Sequence, residues 1–225
     1  MINLRIYVNK LLQCFVFAQL LFVTQAFAGS YEDFFQAIKR DDASIVQQLL
    51  NRGFDPNTPD PFGERGLMIA LREPSPKVAN ALIAWPQTKL NLLTDKGESP
   101  LMLAAIKGEL DLARKMIAKD ADVNKTGWAP LHYAASSGQI EMIRLLLEYH
   151  AFIDTESPNR TTPLMMAAMY GTPEAVKLLL DEGADASLKN QQGLNAMQFA
   201  QKANRPEVVE LLARFGRVGR PAGKW

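Results

Sequence analysis

The chain of 225 residues contains few of the groups on which catalysis and metal binding depend. It has one cysteine, Cys14, and two histidines, His132 and His150. It has no Gly-x-Ser-x-Gly, no Walker-type phosphate loop, no His-Glu-x-x-His and no Rossmann glycine pattern. Acidic pairs such as Asp181-Glu182 are typical of solvated helix ends. We therefore expect no enzymatic activity and no cofactor.

The chain also lacks an excess of charge of either sign. Its 25 basic and 24 acidic residues give a net charge of +1, and the net charge is −1 without the first 28 residues. Near-neutrality argues against a nucleic-acid binder that depends on bulk attraction to phosphate. With 48% hydrophobic and 22% charged residues, the composition excludes a disordered or collagen-like chain.

The N-terminal region has the pattern of a leader for export. Arg5 and Lys10 precede an apolar run over residues 11–23, and Ala26 and Ala28 are small residues after it. This is the layout of a secretory signal peptide. We expect cleavage after Ala28 and a periplasmic or secreted protein. An uncleaved anchor is the less favoured alternative, because the run contains two glutamines and is shorter than the roughly 20 apolar residues of a membrane span. We expect no stable span after cleavage.

Cys14 lies within this leader, so the expected mature protein has no thiol. Gln13 before it is not small, which disfavours a lipoprotein site. A chain without thiols suits an oxidising compartment. Cleavage would exclude both thiol catalysis and disulfide bonds.

An internal repeat covers nearly all of the remaining sequence. Alanines recur at spacings of 33, 34, 30, 33 and 33 residues, and an apolar residue lies three positions before each. A fixed period of this length is typical of repeat proteins. The alanines are Ala37, Ala70, Ala104, Ala134, Ala167 and Ala200.

The clearest units share a motif. They read Ser-Pro-Leu-Met-Leu-Ala-Ala at residues 99–105, Ala-Pro-Leu-His-Tyr-Ala-Ala at 129–135 and Thr-Pro-Leu-Met-Met-Ala-Ala at 162–168. A glycine and a leucine-rich cluster follow, and Gly-Ala-Asp closes one unit at residues 183–185. This resembles the ankyrin repeat, whose signature is Thr-Pro-Leu-His-x-Ala-Ala, a glycine, a leucine run and Gly-Ala-Asp-Val-Asn.

The resemblance extends over residues 31–216 and implies an all-α repeat solenoid. Six ankyrin-type helix-turn-helix units would stack and be joined by β-hairpin fingers, because one helix pair alone cannot bury its apolar face. The predicted repeat domain covers residues 29–216, and residues 217–225 are predicted to be a flexible basic tail. The predicted units are 31–58, 60–93, 94–124, 125–156, 157–189 and 190–216.

Local sequence signals define where the helices begin and end. Serine or threonine followed by proline predicts an N-cap and a first helical position. Glycine predicts a left-handed turn after a helix. The predicted N-caps are Ser75, Ser99, Thr162 and Thr172. The predicted terminating glycines are Gly108, Gly138 and Gly171 for first helices, and Gly53, Gly183 and Gly216 for second helices.

The one spacing of 30 residues has a definite location. Three residues are missing between Asn124 and Gly127 relative to the last junction between units. The finger between the third and fourth units is therefore predicted to be short, which leaves a notch in front of Trp128.

The two histidines have structural explanations. His132 lies at the histidine of the motif, and the resemblance implies that it bonds to backbone near the hairpin. His150 takes the place of a terminating glycine, where a helix C-terminus tolerates it. A metal pair of the two is the less favoured alternative, because no third ligand is evident, and we expect no metal site.

The resemblance places a partner-binding surface on the fingers and on variable positions of the first helices, which face the concave side. Apolar and aromatic residues at positions that stacking does not require are candidate hot spots. The predicted partner-binding residues are Phe62, Glu64, Lys96, Glu98, Ile106, Lys107, Trp128, Ser136, Thr161, Met169 and Tyr170.

We therefore expect a monomeric protein that binds another protein on this concave face. Two alternatives are an inhibitor or immunity protein that blocks a toxin or enzyme, and a helper in oxidative-stress defence. Asn124-Lys125-Thr126 and Asn159-Arg160-Thr161 match the N-glycosylation sequon, which matters only in a eukaryotic source. Because exported ankyrin repeats are familiar in bacteria, we favour a bacterial periplasm.

Overall fold

The computed structural model describes residues 29–218, with side chains up to residue 216. These residues form twelve helices, and none of them combines the length and the apolar composition that crossing a bilayer requires. The predicted signal peptide and residues 219–225 of the predicted tail lie outside the described residues. The helices are α1 (29–39), α2 (Ala43–Asn51), α3 (Gly66–Arg72), α4 (Pro76–Ala84), α5 (Pro100–Lys107), α6 (Leu110–Ile117), α7 (Pro130–Ser136), α8 (Ile140–Glu148), α9 (Pro163–Tyr170), α10 (Pro173–Asp181), α11 (Ala196–Lys202) and α12 (Pro206–Val218).

The helices form six consecutive pairs that stack side by side. The first helix of each pair, which we name the inner helix, packs on the inner helix of the next pair, as α5 does on α7 and α7 on α9. The second helices form an outer row in the same way. Ala104, Ala134 and Ala167 are completely buried between inner helices, because only a small side chain permits so close an approach. The predicted solenoid of six helix pairs is confirmed.

Three of the predicted N-caps are confirmed. The hydroxyl of Ser99 accepts from the N–H of Met102 at 3.3 Å, and the hydroxyls of Thr162 and Thr172 accept at 3.4 and 3.2 Å from N–H groups three residues later. Each bond satisfies a helical N–H group that has no partner within the helix.

Ser75 acts differently from the prediction. Its hydroxyl donates to the carbonyl of Ile38 in the preceding pair at 2.7 Å and makes no cap. The N–H of Val78 instead donates to the carboxylate of Asp41 at 2.9 Å. The first turn of α4 is therefore capped by the neighbouring helix pair, a relationship that a local sequence signal does not contain.

Two predicted terminating glycines also differ. Gly108 and Gly138 have φ values of 72° and 67° and end inner helices as predicted. Gly171 has a φ of −77° and is extended. It must be glycine for another reason, since a Cβ there would lie 2.2 Å from the carbonyl oxygen of Ala135. Gly216 does not end α12, which continues to Val218.

The fingers between helix pairs are tight turns. In four of the five, an N–H donates to the carbonyl four residues later, for example from Asp60 to Glu64 at 2.7 Å and from Ser157 to Thr161 at 3.0 Å. Within residues 29–218, strand pairing is limited to one isolated bridge, between Pro59 and Arg65. The fingers are thus shorter than complete β-hairpins.

The predicted notch is confirmed. The linker between α6 and α7 covers residues 118–129, whereas the linker between α8 and α9 covers residues 149–162. The N–H of Asn124 does not close this finger and donates instead to the carboxylate of Asp122 at 2.9 Å. The finger before Trp128 is consequently the short, unclosed one of the five.

Candidate interaction surface

A small cleft lies on the inner-helix side of the solenoid, next to the notch. Three predicted partner-binding residues line it: Ile106, Trp128 and Ser136. Tyr133 and Met166 line the same cleft, together with the buried His132, which is 5.1 Å from Trp128 between ring centroids. The volume is about 250 Å³, just under the range of about 300–1,000 Å³ for small-molecule sites. The cleft has the size to accept a single protruding side chain.

Tyr133 and Met166 were not among the predicted residues, although the sequence contains a signal for both. Each precedes an alanine of the repeat register, and in five of the six units this position is apolar. The periodicity that identified the alanines therefore also marked a continuous apolar line along the inner helices. Its residues are Ile69, Leu103, Tyr133, Met166 and Phe199.

His132 lies at the buried base of the cleft, where two hydrogen bonds fix its ring. Its Nδ1 accepts from the N–H of Ala129 at 3.1 Å, so its Nε2 carries the proton and donates to the carbonyl of Thr161 at 2.9 Å. Burial lowers the pKa of His132 below its usual value, which keeps the ring neutral. The predicted structural role is confirmed. Both ring nitrogens are engaged with backbone groups, which argues against the alternative of a metal pair.

The ring of Trp128 packs against the ring of this histidine. The two ring planes are inclined at 72°, a T-shaped arrangement that aromatic pairs favour. The indole is thus positioned before a partner arrives, which reduces the entropy lost on binding.

Thr161 does not offer the exposed side chain that its predicted partner-binding role requires. It is only 2% exposed. Its N–H donates to the hydroxyl of Ser157 at 3.0 Å, and its carbonyl accepts from both His132 and the N–H of Ser157. Its main-chain groups therefore close its own finger.

Arg72 brings three further predicted residues together. Its guanidinium pairs with the carboxylate of Glu64 and, at 2.6 Å, with that of Glu98. The ammonium of Lys107 donates to the main-chain carbonyl of Arg72. One guanidinium shared by two carboxylates leaves this ion-pair cluster, Glu64–Arg72–Glu98, with one net negative charge.

Glu98 belongs to the ion-pair cluster, and its charge also acts on Tyr133 of the cleft. The pKa of Tyr133 is raised first by burial and then by the charge of Glu98. The Tyr133 phenol therefore stays protonated at neutral pH.

The other predicted residues lie outside the cleft. Phe62 is 85% exposed, and Lys96 is also exposed; both are in the first two fingers. Met169 is half-buried, and Tyr170 is 62% exposed. Because residues three and four apart lie on one face of a helix, Met169 and Tyr170 extend the apolar surface from Met166 along α9. Whether these residues bind a partner stays a prediction.

A second exposed aromatic residue was not predicted. Phe152 is 65% exposed and does not line the cleft. It replaces the aspartate that other units carry here, such as Asp122 and Asp185, whose carboxylates accept from the N–H two residues later at 2.9 Å. Comparison of the units could have found this difference.

Asn124, in the first sequon, is engaged within the fold. Its amide nitrogen donates to the carbonyl of His150 at 2.8 Å, and its amide oxygen accepts from the N–H of Phe152 at 2.8 Å. The side chain thus joins the third linker to the fourth. In the part of the chain from residue 29 to 218, no three His, Cys, Asp or Glu side chains form a group that could hold a metal ion.

Comparison with known proteins places this fold. A sequence model described as "Ankyrin repeats (3 copies)" matches residues 67–157 and 151–219. A crystal structure of an ankyrin repeat domain from Acinetobacter baumannii AYE is similar with a TM-score of 0.70 at 26% sequence identity, and the match covers 81% of this chain and 97% of that one.

Curated relatives match over about half of this chain. A Danio rerio protein named "Putative palmitoyltransferase ZDHHC13" is 34% identical over 56% of this chain, and Ankyrin repeat and SAM domain-containing protein 6 from the same fish is 35% identical over 50%. The matches cover only 20% and 16% of those relatives, so the similarity does not extend to the rest of either protein. Together with the sequence model and the solved structure, they show that the chain belongs to the ankyrin-repeat family, whose repeats generally serve as non-enzymatic protein–protein interaction modules.

Proposed function

We propose that this protein binds a partner protein outside the cytoplasm, as a monomer, through the apolar part of its concave face. This part consists of the cleft residues Ile106, Trp128, Tyr133 and Met166 and of Tyr170 beside them. The observation that carries the proposal is the exposure of Tyr170 and Ile106 next to a pre-positioned Trp128. Exposed aromatic residues around a cleft are typical of binding hot spots.

The rigidity of the stack supports recognition without turnover. The inner helices pack through fully buried alanines, and His132 fixes Trp128 from below. A preformed surface loses little conformational entropy when a partner binds. We expect a dissociation constant that depends mainly on these few aromatic residues.

Partner capture with matched variants tests the surface. The full-length chain, the Trp128→Ala and Tyr170→Asp variants and a Phe152→Asp control are purified and exposed to extracts of the native source. Phe152 is a matched control because it is exposed to the same degree as Tyr170 and lies outside the cleft. We expect a protein that the wild type and Phe152→Asp retain and that the two cleft-side variants lose. Retention by all variants would show that the proposed face is wrong.

The location and the monomeric state need separate tests. The layout of residues 1–28 supports export. Mass spectrometry of the protein made by its native source should find a chain that begins at Gly29, outside the cytoplasm. A cytoplasmic chain that retains Met1 would contradict export. Light scattering of the purified protein should give the mass of one chain, and a larger mass would contradict the monomer.

A further inference from the structure

The side chains that line the cleft favour a cation over an anion. Its lining offers the aromatic rings of Trp128 and Tyr133 and the thioether of Met166, and it contains no lysine or arginine. The one basic group, the imidazole of His132, is neutral and has both nitrogens engaged. An anion would find no countercharge there, whereas the electron-rich faces of aromatic rings attract cations.

A carboxylate complements this lining. Glu98 lies in the finger that enters α5, the helix that carries Ile106 of the cleft. Its charge contributes to the raised pKa of Tyr133, and its side chain is only 19% exposed. Partial removal from water strengthens its attraction for an incoming charge. The guanidinium of Arg72 binds Glu98 at 2.6 Å and also pairs with Glu64, so these three side chains together carry one net negative charge. The ammonium of Lys107 donates to the main-chain carbonyl of Arg72, so a second cation lies beside this cluster and offsets part of its negative charge.

We propose that the partner protein inserts an arginine side chain into this cleft, against the rings of Trp128 and Tyr133 and beside the carboxylate of Glu98. A guanidinium is planar and weakly hydrated and stacks on aromatic rings better than an ammonium does. The volume of about 250 Å³ suits one such side chain. This inference rests on the proposed function, because it names the chemistry that the partner presents to the same surface.

A peptide selection tests the inference directly. A phage library of random twelve-residue peptides is selected on the full-length chain, and enriched peptides are synthesised with each arginine in turn replaced by citrulline, its neutral isostere. We expect one recurrent arginine whose replacement weakens binding about tenfold or more, as for a partly desolvated ion pair with aromatic contacts. Enriched peptides without a basic residue, no enrichment at all, or unchanged binding of the citrulline peptides would overturn the proposal.

Charge variants of the protein give effects of opposite sign. Glu98→Gln should weaken binding of the arginine peptide about fivefold or more, and Glu64→Gln, which removes a charge from the same cluster one repeat farther away, should weaken it by a smaller factor. Arg72→Met should strengthen binding several-fold, because it removes the cation that competes for Glu98. Thermal melts show whether each variant remains folded. A purely apolar cleft would not respond in these opposite directions, so equal affinity of Glu98→Gln and Arg72→Met for the peptide would contradict the proposal.

The Trp128→Ala and Tyr170→Asp variants separate this inference from the proposed function. If Trp128→Ala and Tyr170→Asp lose the enriched peptides but those peptides carry no essential arginine, the concave face is correct and the arginine site is wrong. If both variants retain every enriched peptide, the proposed face and the arginine site are both wrong.

Discussion

The Nε2–H of His132 donates to the main-chain carbonyl of Thr161 across 2.9 Å and so joins the fourth inner helix to the finger that enters the fifth. The same ring accepts from the N–H of Ala129, at the start of its own helix. Units three and five use Met102 and Met165 at this position, and their sulfur atoms accept only the local N–H. The cross-unit bond is therefore specific to the histidine.

Replacement of His132 by methionine should lower the free energy of unfolding by about 1–2 kcal/mol. The methionine sulfur can still accept from Ala129, but the bond to Thr161 is lost. The loss stays moderate because the carbonyl of Thr161 also accepts from Ser157. Urea unfolding followed by circular dichroism measures the change. His150→Gln, at an exposed position, is the control, and an equal loss in both variants would contradict the role of the bond.

The same histidine should make stability depend on pH. Burial lowers the pKa of His132 in the folded protein, so below about pH 6.5, the usual pKa of histidine, the unfolded chain binds this proton more readily than the folded one does. The stability that neutral His132 provides is complete above that pH and falls as the pH decreases toward the folded-state pKa. We expect a slope of up to about 1.4 kcal/mol per pH unit there.

Unfolding curves of the wild type and of His132→Met between pH 7.5 and pH 5 isolate this contribution, because the remaining titratable groups are common to both. The difference in unfolding free energy should shrink as the pH falls. A difference in unfolding free energy that stays constant over this range would contradict the prediction.

The sequence predicted the stack of helix pairs because a period of about 33 residues, with alanine and proline at fixed places, follows from how each pair must bury its apolar face. It predicted the notch before Trp128 for the same reason, since a missing segment changes the spacing. It did not predict that Asp41 caps α4 or that Thr161 is buried. Both depend on a neighbouring unit, and local signals describe only the unit in which they occur.

The candidate site shows the same limit. Trp128, Ile106 and Ser136 came from positional comparison and do line one cleft. Tyr133 was readable from the same register, but the effect of the Glu98 charge on it depends on how a finger of one unit lies beside the inner helix of the next. Only the folded chain shows that relationship.

Gly171 should tolerate no side chain, for a steric reason. A Cβ there would lie 2.2 Å from the carbonyl oxygen of Ala135, which is backbone and cannot move aside. We expect Gly171→Ala to cost about 2–4 kcal/mol of unfolding free energy, as overpacked sites do. Gly216→Ala is the matched control, because its Cβ would meet nothing within 4 Å and alanine favours the helix. That variant should be neutral or up to about 1 kcal/mol more stable, and a similar loss in both would contradict the steric account.

Asn124 should stabilise the fold through both the oxygen and the nitrogen of its side-chain amide. Its oxygen accepts from the N–H of Phe152, and its nitrogen donates to the carbonyl of His150. Asn124→Asp keeps the acceptor and removes the donor, which we expect to cost about 1 kcal/mol, whereas Asn124→Ala removes both and should cost about 2 kcal/mol. Asp154, whose carboxylate accepts from the N–H of Asp185 at 2.9 Å, shows that an aspartate can fill the acceptor role between units.

Asn204→Asp, at an exposed position after α11, should change the unfolding free energy by less than about 0.5 kcal/mol. The order of the three variants in thermal and urea unfolding is the test, and an Asn124→Ala variant as stable as Asn204→Asp would show that this link between units contributes nothing.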